Sequence, residues 1–139
     1  MDYEEIQYQI ALLETEGIGV NIARQLLDHF GSAKEIFNQP NNVLHSLKTV
    51  GQQLIYAKND KGLFRDAEKE ITYCERNSIQ VLSISNDNYP RRLKHCSDAP
   101  IILYYKGNGV LNHQKVISIV GTRAATSYGK EICNSIVKE

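Results

Sequence analysis

In the last twenty residues of this 139-residue chain stand Gly121-Thr122-Arg123 and, shortly after, Ser127-Tyr128-Gly129. These residue types suit the holding of an anion. Glycine lets the backbone approach a bound group, the threonine and serine hydroxyls donate hydrogen bonds, and arginine presents a planar fork of donors matched to phosphate oxygens. The apolar run Val116 to Val120 precedes the set and a helical pattern follows it. Backbone N–H groups at such a strand-to-helix turn point at an anion. The next glycine after Gly121 is Gly129 and no GK[ST] follows, so neither a dinucleotide fingerprint nor a Walker loop is present. The residues alone lead to an anion site on an α/β domain. Within it Tyr128 either stacks on a base or packs under the turn, and Lys130 reads as a solvated charge.

Other chemistries find little support. Cys74, Cys96 and Cys133 are odd in number and far apart, and His29, His45, His95 and His113 are scattered. Neither a disulfide framework nor a metal site follows from such spacing, and no cofactor is expected. No nucleophile lies beside a base and no carboxylate pair stands in the second half, so a non-enzyme is expected. No apolar run approaches the roughly 18 residues of a membrane span, and the start Met1-Asp2-Tyr3-Glu4-Glu5 is acidic where a signal peptide is basic. The expectation is a cytoplasmic protein without a membrane partner.

The elements that position the anion turn belong to an α/β second half, residues 71–139. Ile79 to Ile84, Ile101 to Tyr105 and Val116 to Val120 each read as a strand, the last apolar enough for a parallel sheet covered on both faces. Tyr104 and Tyr105 would alternate faces, which puts at least one in the core. Asn86 to Pro90 reads as a turn with Arg91-Arg92 a solvated pair, and Tyr128 to Glu139 as a helix.

Residues 1–70 read as a helical domain. Ile6, Ile10 and Leu13, then Ile22, Ala23, Leu26, Leu27 and Phe30, recur at three- and four-residue spacing, with Gly17-Ile18-Gly19 between them as a tight hairpin and Asn21 as a cap for the second helix. Gly31 reads as a helix stop, and Ser32 with Glu35 as a capping box. A fainter hairpin is centred on Gly51, and Phe64, Ala67, Ile71 and Cys74 mark an amphipathic helix into the second half.

The net charge of zero conceals an asymmetry: residues 1–70 hold 11 acidic and 7 basic side chains, residues 71–139 hold 5 acidic and 9 basic. A polyanion should prefer the second half. For the same reason Gly17-Ile18-Gly19, with only Arg24 close by, reads as a structural hairpin rather than as a phosphate-holding one.

Val116 to Arg123 followed by Ser127-Tyr128-Gly129 resembles the signature of the DNA-processing protein A family, also called Smf, in which a strand ends in G-[ST]-R. Tyr89-Pro90 with Leu93 resembles that family's YPxxL segment, and Pro100 with Leu103-Tyr104-Tyr105-Lys106-Gly107 its P-x-x-L-[YF]-x-K-G strand. The helical start is similar to its helix-hairpin-helix or SAM-like region. The resemblance implies the opening part of a Rossmann-like domain that binds single-stranded DNA without sequence preference, protects incoming DNA and loads the RecA recombinase in natural transformation. It also implies a homodimer for the complete protein and phosphate contacts from Gly121, Thr122, Arg123, Ser127, Tyr128 and Gly129. Family members continue with an RNR motif that this sequence lacks, which implies a truncated chain. Two competing readings are a Rossmann-like nucleotide-phosphate-binding hydrolase of the lysine-decarboxylase-like type and a protein-interaction module in residues 1–70.

Overall fold

A computed structural model describes residues 2–138, so Glu139, placed in the last helix by its sequence, lies outside the described residues. Helix α1 (Tyr3–Glu14) is capped by Asp2, whose carboxylate accepts from the Glu5 amide. Its buried face is Ile6, Ile10, Ala11 and Leu12. Gly17, at φ +80°, turns the chain so that Ile18 drops into the core, and α2 (Val20–Phe30) follows. The cap of α2 is Gly19, with no side chain involved, so Asn21 sits inside the helix and is not the expected cap. Gly31, at φ +88°, ends α2 by donating to the Leu27 carbonyl.

Ser32 caps α3 (Ala33–Asn38) by accepting from the Glu35 amide at 3.1 Å. A second acceptor reaches the same helix end from α1: the Glu5 carboxylate takes Ala33 N–H at 2.7 Å and Lys34 N–H at 3.1 Å. Two short helices, α4 (Asn41–Ser46) and α5 (Gly51–Asn59), pack against one another, and α6 (Lys61–Arg76) returns along α1. Tyr8, Phe37 and Phe64 form an aromatic triangle with centroids 5.2 to 5.7 Å apart, where α1, α3 and α6 meet. Ala67, Ile71 and Cys74 are the buried stripe of α6, and α6 runs on through residue 70 to support the first strand.

Strands β1 (Gln80–Ser83) and β2 (Ile102–Tyr105) pair antiparallel, with Gln80 opposite Tyr105 and Ser83 opposite Ile102. Both strands match segments expected from the sequence, but the expected parallel arrangement does not occur between them. A parallel pair needs a crossover that carries the chain back along the sheet. The helix in this connection, α7 (Arg91–Lys94), has four residues, or about 6 Å of rise against about 13 Å for a four-residue strand. Val81, Ile101 and Ile102 join the core of the helical half, so one continuous cluster runs from α1 to the sheet.

Val116 to Val120 is a further departure. It is not a strand: Ile117 is 82% and Val120 89% exposed, because no neighbouring strand among the described residues offers the ladder that its branched side chains favour. Tyr104 and Tyr105 are not core residues either; Tyr104 is half exposed and Tyr105 half-buried. The buried tyrosine is Tyr89, 1% exposed inside the expected turn. Helix α8 (Ser127–Lys138) closes the described chain without a buried residue.

Gly51 is held by a close approach. A Cβ there would fall on the Leu44 carbonyl, 2.9 Å from its carbon. Gly51→Ala should therefore destabilise the chain by about 1 to 3 kcal/mol, the usual cost of overpacking, read as a lowered urea midpoint.

Three buried or half-buried acids set an alkaline limit. Burial pushes the Tyr104 and Tyr89 phenols above their ordinary 10.0, with a hydrogen bond from Tyr104 to the Glu70 carboxylate adding to the first, and burial followed by the Glu70 charge raises the Cys74 thiol above 9.0. The folded chain favours each neutral form, so the stability they contribute is complete below the unfolded values and is lost as pH rises through the folded ones. Unfolding free energy should fall above about pH 9 to 10, and Tyr104→Phe should make the fall shallower in urea titrations across that range.

Candidate anion site at the start of α8

The turn before α8 closes on itself through side chains. Thr122 Oγ1 donates to the Ala124 carbonyl at 3.1 Å. Thr126 caps the helix: its hydroxyl accepts from Gly129 N–H at 3.2 Å and its carbonyl from Lys130 N–H at 3.0 Å. The sequence reading takes the hydroxyls of this turn from Thr122 and Ser127 and passes over Thr126, although a threonine three residues before the third helical amide is the ordinary signal of an N-cap. The cap leaves the amides of Ser127 and Tyr128 at the positive end of a 12-residue helix.

An open hollow of about 520 Å³ lies beside this end, lined among others by Gly121, Thr122, Thr126, Gly129, Lys130 and Cys133. Three of the six residues expected at the site, Gly121, Thr122 and Gly129, meet on this surface. Arg123, Ser127 and Tyr128 lie outside its lining, all exposed, with Tyr128 at 73%. The phenol is thus free of the packing alternative raised by its sequence. Lys130, expected as a solvated charge, is both exposed and part of the lining. A Cβ at Gly121 would meet nothing within 4 Å, and its φ lies outside the left-handed region, so neither packing nor backbone conformation requires glycine there.

Other cations of interest are occupied within the fold. Arg92 donates from Nη1 to the His113 carbonyl and from Nη2 to the Gln114 carbonyl, at 3.0 and 2.9 Å. Arg24, the cation nearest the Gly17–Gly19 hairpin, donates from Nη1 to the Cys96 and Ser97 carbonyls at 2.6 and 3.1 Å. Tyr89 and Pro90 act as scaffold: the Tyr89 hydroxyl donates to the Pro100 carbonyl at 2.6 Å, and Pro90 opens α7. Among the described residues no group of three or more His, Cys, Asp or Glu could hold a metal ion, and no helix is long and apolar enough to cross a membrane.

Residues 80–139, which contain both strands, the turn and α8, match the family described as DNA recombination-mediator protein A. Through these residues the chain is similar to that family. Among curated proteins it is similar to the DNA processing protein DprA of Bacillus subtilis, 42% identical over 62 residues, which is 44% of this chain and 21% of the relative. The DNA processing protein DprA of Streptococcus pneumoniae is 36% identical over 56 residues, 40% of this chain and 20% of the relative. Protein Smf of Synechocystis aligns with 99% of this chain at 25% identity, covering 37% of its own length. The chain therefore spans between a fifth and two-fifths of the curated relatives it matches. No solved structure matches it.

Thr126→Ala should cost α8 about 0.5 to 2 kcal/mol through loss of its cap. Amide exchange at Gly129 should accelerate, and Thr126→Ser should restore most of the protection.

Proposed function

We propose that this chain is part of a DNA-processing protein and that its Gly121–Gly129 turn contacts the phosphates of single-stranded DNA. One observation carries the reading: the segment matching the family holds an exposed turn where a capped helix end, Lys130 on the hollow and Arg123 close by in sequence offer donors and positive charge with no acid partner among the described residues. Phosphate neutralisation by such groups is independent of sequence and weakens with salt. Exposed Tyr128 suits stacking on an unpaired base.

The names of the relatives support a place in DNA processing and recombination. On this reading the complete protein protects incoming single strands during natural transformation and passes them to the RecA recombinase, working as a homodimer in the cytoplasm and without an enzymatic step. The acidic first half, with Arg24 tied to backbone carbonyls, supplies support rather than a second DNA surface.

A guanidinium–phosphate contact contributes about 1.5 to 3 kcal/mol, so Arg123→Ala should weaken binding of a labelled single-stranded oligonucleotide about tenfold or more. Its salt dependence should also become shallower by about one unit of slope. Fluorescence anisotropy at two salt concentrations checks both, and unchanged affinity with unchanged slope would remove Arg123 from the site.

A further inference from the structure

An asparagine can cyclise when the backbone nitrogen of the next residue reaches its side-chain carbonyl carbon, which needs a backbone free to turn and a nitrogen neither shielded nor hydrogen-bonded. The chain holds eleven asparagines, and the fold restrains ten of them. Asn21, Asn38, Asn41, Asn42, Asn59 and Asn134 lie in helices, whose fixed dihedrals hold the two groups apart. Asn77 closes α6, with its Nδ2 donating to the Tyr73 carbonyl at 2.8 Å. The Asn86 Oδ1 accepts from the Ser83 amide at 2.8 Å, and both ends of the Asn112 amide are bonded, to the Tyr89 carbonyl and the Arg91 amide. Asn88 is followed by Tyr89, bulky and buried, whose own amide donates to the Asn86 carbonyl at 3.1 Å.

Asn108 escapes all of these restraints. It stands in the exposed bend that follows β2, outside any helix or strand, and neither its side chain nor the Gly109 amide makes a hydrogen bond among the described residues. Gly109 has no side chain to shield its nitrogen, and Gly107 on the other side, at φ +142°, takes a conformation open to glycine. The bend is tied back to β2 through the Tyr105 hydroxyl, which donates to the Gly109 carbonyl at 2.8 Å. That bond engages the carbonyl of Gly109 and leaves its nitrogen free. Asn108 also shares the lining of an open hollow of about 460 Å³ with Arg91 and Asp87.

We propose that Asn108 is a site of spontaneous covalent modification, at which the chain converts its own asparagine to isoaspartate and aspartate. The Gly109 nitrogen attacks the Asn108 side-chain carbonyl carbon; a C–N bond forms there, the bond to the side-chain nitrogen breaks, and the Gly109 amide proton leaves with that nitrogen as ammonia. Water then opens the five-membered imide, giving its hydroxyl to one carbonyl carbon and its proton to the ring nitrogen. Opening at the side-chain carbonyl yields aspartate. Opening at the backbone carbonyl routes the main chain through the side chain and yields isoaspartate, one chain atom longer. Either product sets a carboxylate on the lining that holds Arg91 and takes one unit from the positive balance of the second half. The added atom of isoaspartate moves the Gly109 carbonyl away from the Tyr105 hydroxyl, so the tie to the end of β2 is lost. The proposal is independent of the phosphate contact assigned to Arg123.

Incubation of the folded, full chain in heavy-oxygen water, followed by digestion, chromatographic separation of isoaspartyl from aspartyl peptides and mass spectrometry, tests it. Expected are conversion of Asn108 at least tenfold faster than of any other asparagine, a rate within tenfold of that in a synthetic peptide spanning residues 103–113, and a rate that rises with pH because the attacking nitrogen must give up its proton. Isoaspartate should be among the products, with one heavy oxygen taken up. Gly109→Ala should slow the reaction at least tenfold. At Gly109 φ lies outside the left-handed region and a Cβ would meet the Tyr105 hydroxyl at 3.4 Å, an ordinary contact, so the variant keeps its fold, which unaltered circular dichroism verifies. The isoaspartyl chain, separated by ion exchange, should show faster amide exchange across β2 than the unmodified chain. Asn108 left intact while other asparagines convert, conversion more than tenfold slower than in the peptide, an unslowed Gly109→Ala variant, or a product without isoaspartate would overturn the site, and unchanged exchange in β2 would overturn its effect on the strand.

Discussion

The second half of this chain is organised by one buried phenol. Tyr89 is almost completely enclosed, and a tyrosine hydroxyl taken out of water must find a partner or leave a costly unpaired group. It finds the Pro100 carbonyl, two residues before β2 begins, and so fixes where the second strand enters. The Tyr89 carbonyl accepts from Asn112 Nδ2, and the Asn112 amide oxygen accepts from the Arg91 amide at the start of α7. Three separate stretches, the turn after β1, the entry to β2 and the segment near residue 112, thereby meet around one residue, Tyr89. An antiparallel pair of four-residue strands has little stability of its own. This wiring, together with the packing of β1 on α6, lets so small a sheet persist.

The first half uses a charged counterpart of the same device. Glu5 gathers two backbone amides of α3 and the Gln9 amide around one carboxylate. The negative charge stands where the positive end of a short helix needs it, and α1 and α3 are thereby fixed relative to one another. Arg24 then joins α2 to residues 96 and 97 by donating to backbone carbonyls. Charge totals therefore understate how differently individual cations are employed, even within the basic half. Arg24 and Arg92 hold parts of the fold together, whereas Arg123 and Lys130 face solvent with no acid partner among the described residues.

What the sequence revealed of the fold depended on how local each feature's cause was. Gly31 as a helix stop, Ser32 as a cap and the buried stripe of α6 rest on interactions within one turn or one helix face, and they stand where periodicity and capping rules put them. Asn21 failed as a cap because Gly19 already begins the helix. The non-local features were harder to read. Val116 to Val120 has the composition of an inner strand, but a strand exists only through its neighbours, and composition does not supply them. The direction of the β1–β2 pair followed from a connection whose helix is too short to cross the sheet, a length hidden behind the turn residues Asn86 to Pro90. Tyr89 lay inside that same polar turn, and its burial depends on Pro100 and Asn112, which are remote in sequence. At the anion turn the residue types were legible and their division was not: Gly121, Thr122 and Gly129 share a surface from which Arg123 and Tyr128 are set apart.

The cap of α8 sharpens what that turn can offer a ligand. A helix start presents several unpaired amides, and a capping side chain takes one of them out of reach. Thr126 takes the third, that of Gly129, and Gly129 is also where added bulk would press on the cap, with a Cβ 3.3 Å from the Thr126 hydroxyl. The glycine therefore serves the helix end, and the first two amides, those of Ser127 and Tyr128, stay available. Were the cap at Ser127 instead, the helix would start one residue later and shift those amides along the chain, away from Gly121. With the cap at Thr126 the open amides follow the glycine turn at once, and the donors an anion would use are confined to one short stretch of backbone. Arg123 is separated from the cap by only Ala124 and Ala125, so its backbone lies within about 11 Å of the capping threonine.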